Sequence, residues 1–186
     1  IRSELGLENK LIIGNVARIT EVKNHKLLID VFATFHQQNE QSALLLVGDG
    51  ELMDETRDYC KTLGLSESVI FMGARSDIYD MLSVMDVFVL TSKSEGLSLV
   101  LVEAQANGLP VVCSPFVTRE AGIQSNVLFV AENDYENTEA WCSAIEKAID
   151  IGRLEDITAI AQAGFDIRQE AKKLEKIYNK KGLQTI

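Results

Sequence analysis

Short apolar runs alternate with amphipathic stretches along almost the whole chain. Residues 11–13 onward, 43–47, 69–71, 86–90, 111–113 and 127–130 are rich in β-branched and aromatic residues and bounded by glycine or polar residues. Each predicts a strand buried on both faces. Between them lie helical patterns. Residues 24–38 carry an apolar stripe at Leu28, Val31, Phe32 and Phe35, residues 51–63 close on Gly64, and residues 78–84 make a short helix. Residues 138–149 form a longer helix containing Trp141, and the chain from Leu154 on is helical with a break at Gly164-Phe165.

The segment Leu99 to Asn107 is split by propensity, Leu-Val-Leu-Val favouring strand and Glu-Ala-Gln-Ala favouring helix. It is assigned to helix, because two parallel strands need a crossover and nothing else lies between strands four and five. Ser98 is the expected N-cap and Asn107-Gly108 the stop. Such a helix is apolar on nearly every side except at Glu103, which is therefore expected to be a buried carboxylate in need of a partner. The regular βα alternation predicts one α/β domain over residues 1–186. It has about six parallel strands covered by helices on both faces, closed by helices at about 154–181. No repeat, low-complexity segment or domain boundary interrupts it.

Composition narrows the class. A 46% hydrophobic, 25% charged chain of 186 residues is enough for one well-buried domain and argues against disorder. No run approaches a membrane span and no leader is visible, so a cytoplasmic protein is expected. The net charge of −10 argues against a nucleic-acid surface. Cys60, Cys113 and Cys142 are odd in number and widely spaced, which fits neither a disulfide framework nor a metal site. The first residue is Ile1 rather than Met, as expected for a piece of something longer.

Polar and glycine residues fall at the carboxyl ends of the strands, the edge where open parallel sheets bind ligands. Ala17-Arg18 follows strand one, Gly48-Asp49-Gly50 strand two, Gly73-Ala74-Arg75 strand three, Glu95-Gly96 strand four and Ser114 to Glu120 strand five. Glu95 and Glu103 can border one crevice with the free N–H groups of the intervening helix start. Arg18 and Lys23 add two cations. Carboxylates suit sugar hydroxyls; cations and helix-start amides suit phosphates. Each feature alone reads as readily as solvated surface charge. The full dinucleotide fingerprint G-x-G-x-x-G is absent, as is a Walker-type loop. His25 borders this crevice or caps its helix, and His36 is expected at the surface. No D-x-D is present and Asp49 and Asp134 lack a second carboxylate at metal spacing, so no obligatory metal is expected.

Taken together, these segments resemble the "group 1" family of retaining GT-B glycosyltransferases. S-E-G-L-S-L-V-L-V-E-A-Q-A-N-G-L-P-V-V is similar to the family's signature of two glutamates around a helix start. It departs at Thr91 and Ser98, where proline is usual, and at Leu97, where phenylalanine is usual. N-V-A-R-I-T-E-V-K-N-H resembles the family's G-R-L-x-x-x-K-G/N with Ala17 in place of glycine, V-G-D-G-E-L its V-G-x-G-x-L, and V-I-F-M-G its V-x-F-x-G. Glu120 resembles the glutamate after strand five, without the usual Gly-Gly before it.

The resemblance implies a Rossmann-like domain, the C-terminal half of a GT-B fold, with the acceptor-binding N-terminal domain outside this chain. It implies a nucleotide diphosphate-sugar, UDP-hexose favoured, and retaining transfer to a glycan or lipid-linked acceptor in surface or capsular polysaccharide synthesis. No cofactor or metal beyond that donor is implied, and the whole enzyme could associate peripherally with a membrane. By this likeness Glu95, Arg18 and Lys23 are catalytic, Glu95 holding the donor sugar and the cations the diphosphate. Glu103 binds the ribose; Ala17, Gly48, Gly50, Gly73, Arg75, Gly96, Leu97, Ser98, Leu99 and Glu120 line the donor site. The chain alone is expected to bind nucleotide without transferring sugar. A non-catalytic nucleotide-binding domain and an epimerase or phosphorylase relative are the alternatives, though no pyridoxal-phosphate lysine can be identified.

Overall fold

In the computed structural model, which describes residues 1–180, six parallel strands lie in the order β3-β2-β1-β4-β5-β6. The strands are β1 (Leu11–Val16), β2 (Ser42–Val47), β3 (Val69–Gly73), β4 (Val87–Leu90), β5 (Val111–Cys113) and β6 (Val127–Phe129). Helices α1 (His25–Gln38), α2 (Met53–Thr62), α3 (Ile78–Ser83), α4 (Leu99–Ala106) and α5 (Thr138–Ile151) fill the intervals. The expected end of the closing helices at Lys181 lies outside the described residues.

Strand alternation splits the core in two. Ile13, Leu44, Leu46, Val87 and Val89 face α1, α2 and α5, among Phe32, Phe35 and Trp141. Ile12, Leu45, Val47, Phe88 and Leu90 face α3 and α4, among Met81, Leu82 and Leu101. Both faces of the sheet are thus covered, which explains why the strands read as unbroken apolar runs rather than as alternating ones. The segment before β1 adds Leu7 to the second core. Arg2 Nη2 donates to Asp86 Oδ1 at 2.7 Å, while Asp86 Oδ2 accepts from Ile12 N at 2.7 Å. That carboxylate therefore joins the entry of β1 to the residue before β4.

After β6 the helices close the domain. Helix α6 (Thr158–Ile160) runs into a π turn over Ala161–Phe165, broken at Gly164 with φ +92°. Helix α7 (Ile167–Lys180) follows, and its apolar residues Ile167, Leu174, Ile177 and Tyr178 are exposed.

Strand order reverses between β1 and β4. Chain leaving β1 turns to α1 on one face, and chain leaving β4 turns to α4 on the other. The two connections part at their carboxyl ends and leave a crevice between them. Asn15, 2% exposed, stitches the two strands there, its Nδ2 donating to Val89 O at 2.7 Å.

Candidate functional site

The crevice is built from loops held on rigid strands. The connections after β1 and β2 are zipped together by backbone bonds: Ala17 N to Val47 O at 3.0 Å, Ile19 N to Asp49 O at 3.0 Å, Leu52 N to Ile19 O at 3.1 Å. Such close approach needs glycine. A Cβ on Gly48, whose φ is +136°, would stand 2.0 Å from Ala17 O, and one on Gly50 2.3 Å from Ile19 O. The same loops, with the turn after β3, line an open pocket of about 410 Å³ that includes Ala17, Arg18, Gly48, Asp49, Ala74 and Arg75. Gly73 closes β3 in the left-handed region at φ +65°. Arg75 is turned onto Asp77, its Nε donating to Oδ1 at 2.7 Å.

Across the switch point the side chains meet. Lys23, from the 3-10 turn Glu21–Lys23 after β1, bonds through its ammonium to Glu95 Oε1 in the loop after β4. Ser92 Oγ donates to the same carboxylate oxygen at 2.9 Å. The two charged side chains are only 23% and 13% exposed, so the pair is sheltered rather than a surface contact. Glu95 is also fixed by its backbone, its N–H donating to Phe116 O at 3.2 Å. A lone bridge pairs it in parallel with Val117.

Several expectations need correction. Arg18 does not join Lys23: its guanidinium is 79% exposed and meets only the edge of Glu51, at 3.9 Å. Glu103 is exposed, not buried, because it shares the outward stripe of α4 with Leu99 four residues earlier, itself 64% exposed. Of the two glutamates, Glu95 is the more sheltered. Ser98 stands at the N-cap position and is buried, yet its side chain caps nothing. The start of α4 is therefore closed by no side chain. Gly96 and Leu97 are exposed beside it, and a Cβ on Gly96 would meet nothing within 4 Å. Glu120 sits exposed on the 3-10 turn Arg119–Ala121 after β5.

The histidines also differ from expectation. Asn24 caps α1, its side chain accepting from Leu27 N at 3.4 Å, while His25 is buried. Burial, and secondarily the charge of Lys23, lowers the imidazole pKa to about 4. His25 belongs to a separate cavity of about 260 Å³ between α1 and α2, and that cavity is lined by none of the expected site residues. His36 is half-buried, its ring nitrogens meeting Ser42 Oγ at 2.8 Å and Ser68 Oγ at 3.0 Å.

Four further residues hold the site: Thr91, Ser92 and Gln105, which lie within the glutamate signature without being assigned a role there, and Tyr135, which no motif marks. Buried Gln105 accepts from Ile123 N at 2.8 Å and Gln124 N at 2.9 Å and donates to Ala121 O at 2.7 Å, tying the loop after β5 to α4. Only the polarity of such residues beside strand ends could have flagged them. The three cysteines are buried and unpaired, burial pushing their thiols up to about 11 for Cys60 and about 12 for Cys113 and Cys142. Among the described residues no group of three or more His, Cys, Asp or Glu side chains could hold a metal ion. Among them, too, no helix is long and apolar enough to cross a membrane.

Known proteins resemble this chain in both sequence and fold. The family model described as "Glycosyl transferases group 1" matches residues 1–163. The putative glycosyltransferase EpsF of Bacillus subtilis is 37% identical over 176 residues, covering 92% of this chain and 45% of that protein. The Vi polysaccharide biosynthesis protein VipC/TviE of Salmonella typhi is 34% identical over 160 residues, covering 85% of this chain and 27% of the relative. This chain thus spans less than half the length of either. Among solved structures, Anabaena Alr3699/HepE in complex with UDP superposes with a TM-score of 0.71 at 26% identity. The match covers 94% of this chain and 51% of that one.

Proposed function

The chain belongs to the group 1 glycosyl transferases, and on that premise we propose that it is the donor-binding half of a retaining GT-B enzyme. In this reading it holds a nucleotide diphosphate-sugar, UDP-hexose favoured, for transfer to a glycan or lipid-linked acceptor. The observation that carries the reading is the Lys23–Glu95 pair set across the reversal of strand order. A cation and a carboxylate meet there at the ligand-binding edge of the sheet, beside the uncapped start of α4. Relatives named for polysaccharide synthesis and a UDP-bound neighbour support the same direction.

The chemistry follows from the groups. Within the crevice Lys23 and Glu95 neutralise each other. An entering donor divides them: the diphosphate takes the ammonium and the α4 amides, and the freed carboxylate accepts from sugar hydroxyls. Lys23 then faces the charge that grows on the leaving nucleoside diphosphate as the sugar departs, and Arg18 turns in from the rim to join it once the donor is bound. Glu103, exposed one turn into α4, is free to accept from the ribose hydroxyls. In this reading the charge is met by these side chains and amides, and the acceptor is supplied by a domain outside this chain. A role in surface polysaccharide synthesis at the cytoplasmic side of the membrane is part of the proposal.

The roles separate experimentally. Glu103→Ala is expected to weaken UDP binding by about 1–3 kcal/mol, the range for losing a charged hydrogen bond. Glu95→Ala, which frees the Lys23 ammonium for the diphosphate, is expected to cause no loss of UDP affinity and to abolish the extra affinity for UDP-glucose over UDP. Equal losses of UDP affinity in calorimetry of the two variants would overturn the assignment.

A further inference from the structure

The Lys23–Glu95 pair stands on a buried post that the donor chemistry does not use. Tyr135, between the 3-10 turn Glu132–Asp134 and α5, is 7% exposed. Its hydroxyl donates to Thr91 O at 2.8 Å and accepts from Asn24 Nδ2 at 2.8 Å. The Thr91 hydroxyl in turn lies within donating reach of Lys23 O, at 3.1 Å, and Asn24 O, at 3.0 Å. Asn24 itself is held at φ +52°, a left-handed conformation that asparagine tolerates and that needs surrounding contacts to persist. The residue following Lys23 is thus fixed from two sides by one phenol and one threonine.

The ring of Tyr135 reaches the other partner. It meets the Phe116 ring edge-on at 4.9 Å between centroids, and Phe116 O is the acceptor for Glu95 N. Behind it, Trp141 Nε1 donates to Tyr135 O at 2.8 Å and anchors the post to α5. Burial raises the phenol pKa.

We propose that Tyr135 is a positioning residue for the donor diphosphate, setting through Asn24 and Thr91 the backbone from which Lys23 reaches the crevice. A lysine has a long flexible stem, and its usefulness as a preorganised cation depends on how firmly its base is held. The proposal rests on the reading that Lys23 contacts the diphosphate.

The test is a calorimetric cycle with UDP on the intact chain: wild type, Tyr135→Phe, Lys23→Ala and the double variant. Phenylalanine keeps the ring and removes both hydroxyl bonds. UDP affinity is expected to fall roughly three- to tenfold in Tyr135→Phe, the range for losing a net hydrogen bond or two. In the Lys23→Ala background the same change is expected to cost less than twofold, because the post then has nothing to hold in place. An equal loss in both backgrounds would show general loosening of the crevice and overturn the proposal. So would unchanged affinity in Tyr135→Phe with its melting temperature preserved. Should that variant fold poorly, Thr91→Val leaves the Tyr135–Thr91 carbonyl bond in place, removes the second anchor, the hydroxyl that reaches Lys23 O and Asn24 O, and carries the same expectation. Wild-type protein that binds no UDP would remove the donor-site reading itself, and this proposal with it.

Discussion

At the scale of single residues, one histidine and two glutamates show how environment decides role. His25 carries a pKa lowered to about 4 from 6.5 by burial and by Lys23. Between those values the unfolded chain takes up a proton that the folded chain refuses. The stability this residue contributes is whole above pH 6.5 and is lost as pH falls to about 4. At roughly 1.4 kcal/mol per unit this amounts to about 3 kcal/mol. Melting curves of wild type and His25→Leu between pH 7 and 4 are expected to show the wild type losing ground steadily relative to the variant. A difference independent of pH would mean that the imidazole does not titrate in this way. The residue types of the candidate site are legible in the sequence, since Lys23, Glu95 and Glu103 stand at recognisable spacings. Their exposures are not. Leu99 and Glu103 face outward on the same stripe of α4, and hydropathy alone places a leucine inside.

At the scale of elements, the strands are the easiest to read. Both of their faces are buried, and an unbroken apolar run between turn residues is the pattern a doubly covered strand requires. Helix α4 is the hardest, its composition favouring strand until topology requires a crossover. The expected cap at Ser98 makes no side-chain hydrogen bond, and α1 is capped by Asn24 rather than by His25. Loop glycines give a sharp contrast. Gly48→Ala forces a Cβ to within 2.0 Å of a carbonyl at φ +136°. It is expected to destabilise by at least about 1–3 kcal/mol. Gly96→Ala meets open space and is expected to stay within about 0.5 kcal/mol of wild type. Urea midpoints of the two variants check the pair, and comparable losses at both positions would contradict the loop geometry.

At the scale of the whole molecule, the parallel sheet and its reversal between β1 and β4 bring together residues far apart in sequence, as Lys23 and Glu95 are. Position along the chain places both at strand ends. Only strand order puts them across one crevice. Tyr135 and the contacts of Thr91 stay hidden for the same reason, the partners being distant in sequence. The stripe of α7 is visible as amphipathic periodicity, and its apolar residues Ile167, Leu174, Ile177 and Tyr178 stand half-exposed or more. We propose that this edge of the sheet is a nucleoside-diphosphate site needing no metal. Isothermal titration of the chain with UDP, GDP and ADP, each with and without chelator, decides it. The expected result is saturable binding, tightest for UDP and unaltered by chelator. No heat with any of the three, or binding that chelator abolishes, would contradict it.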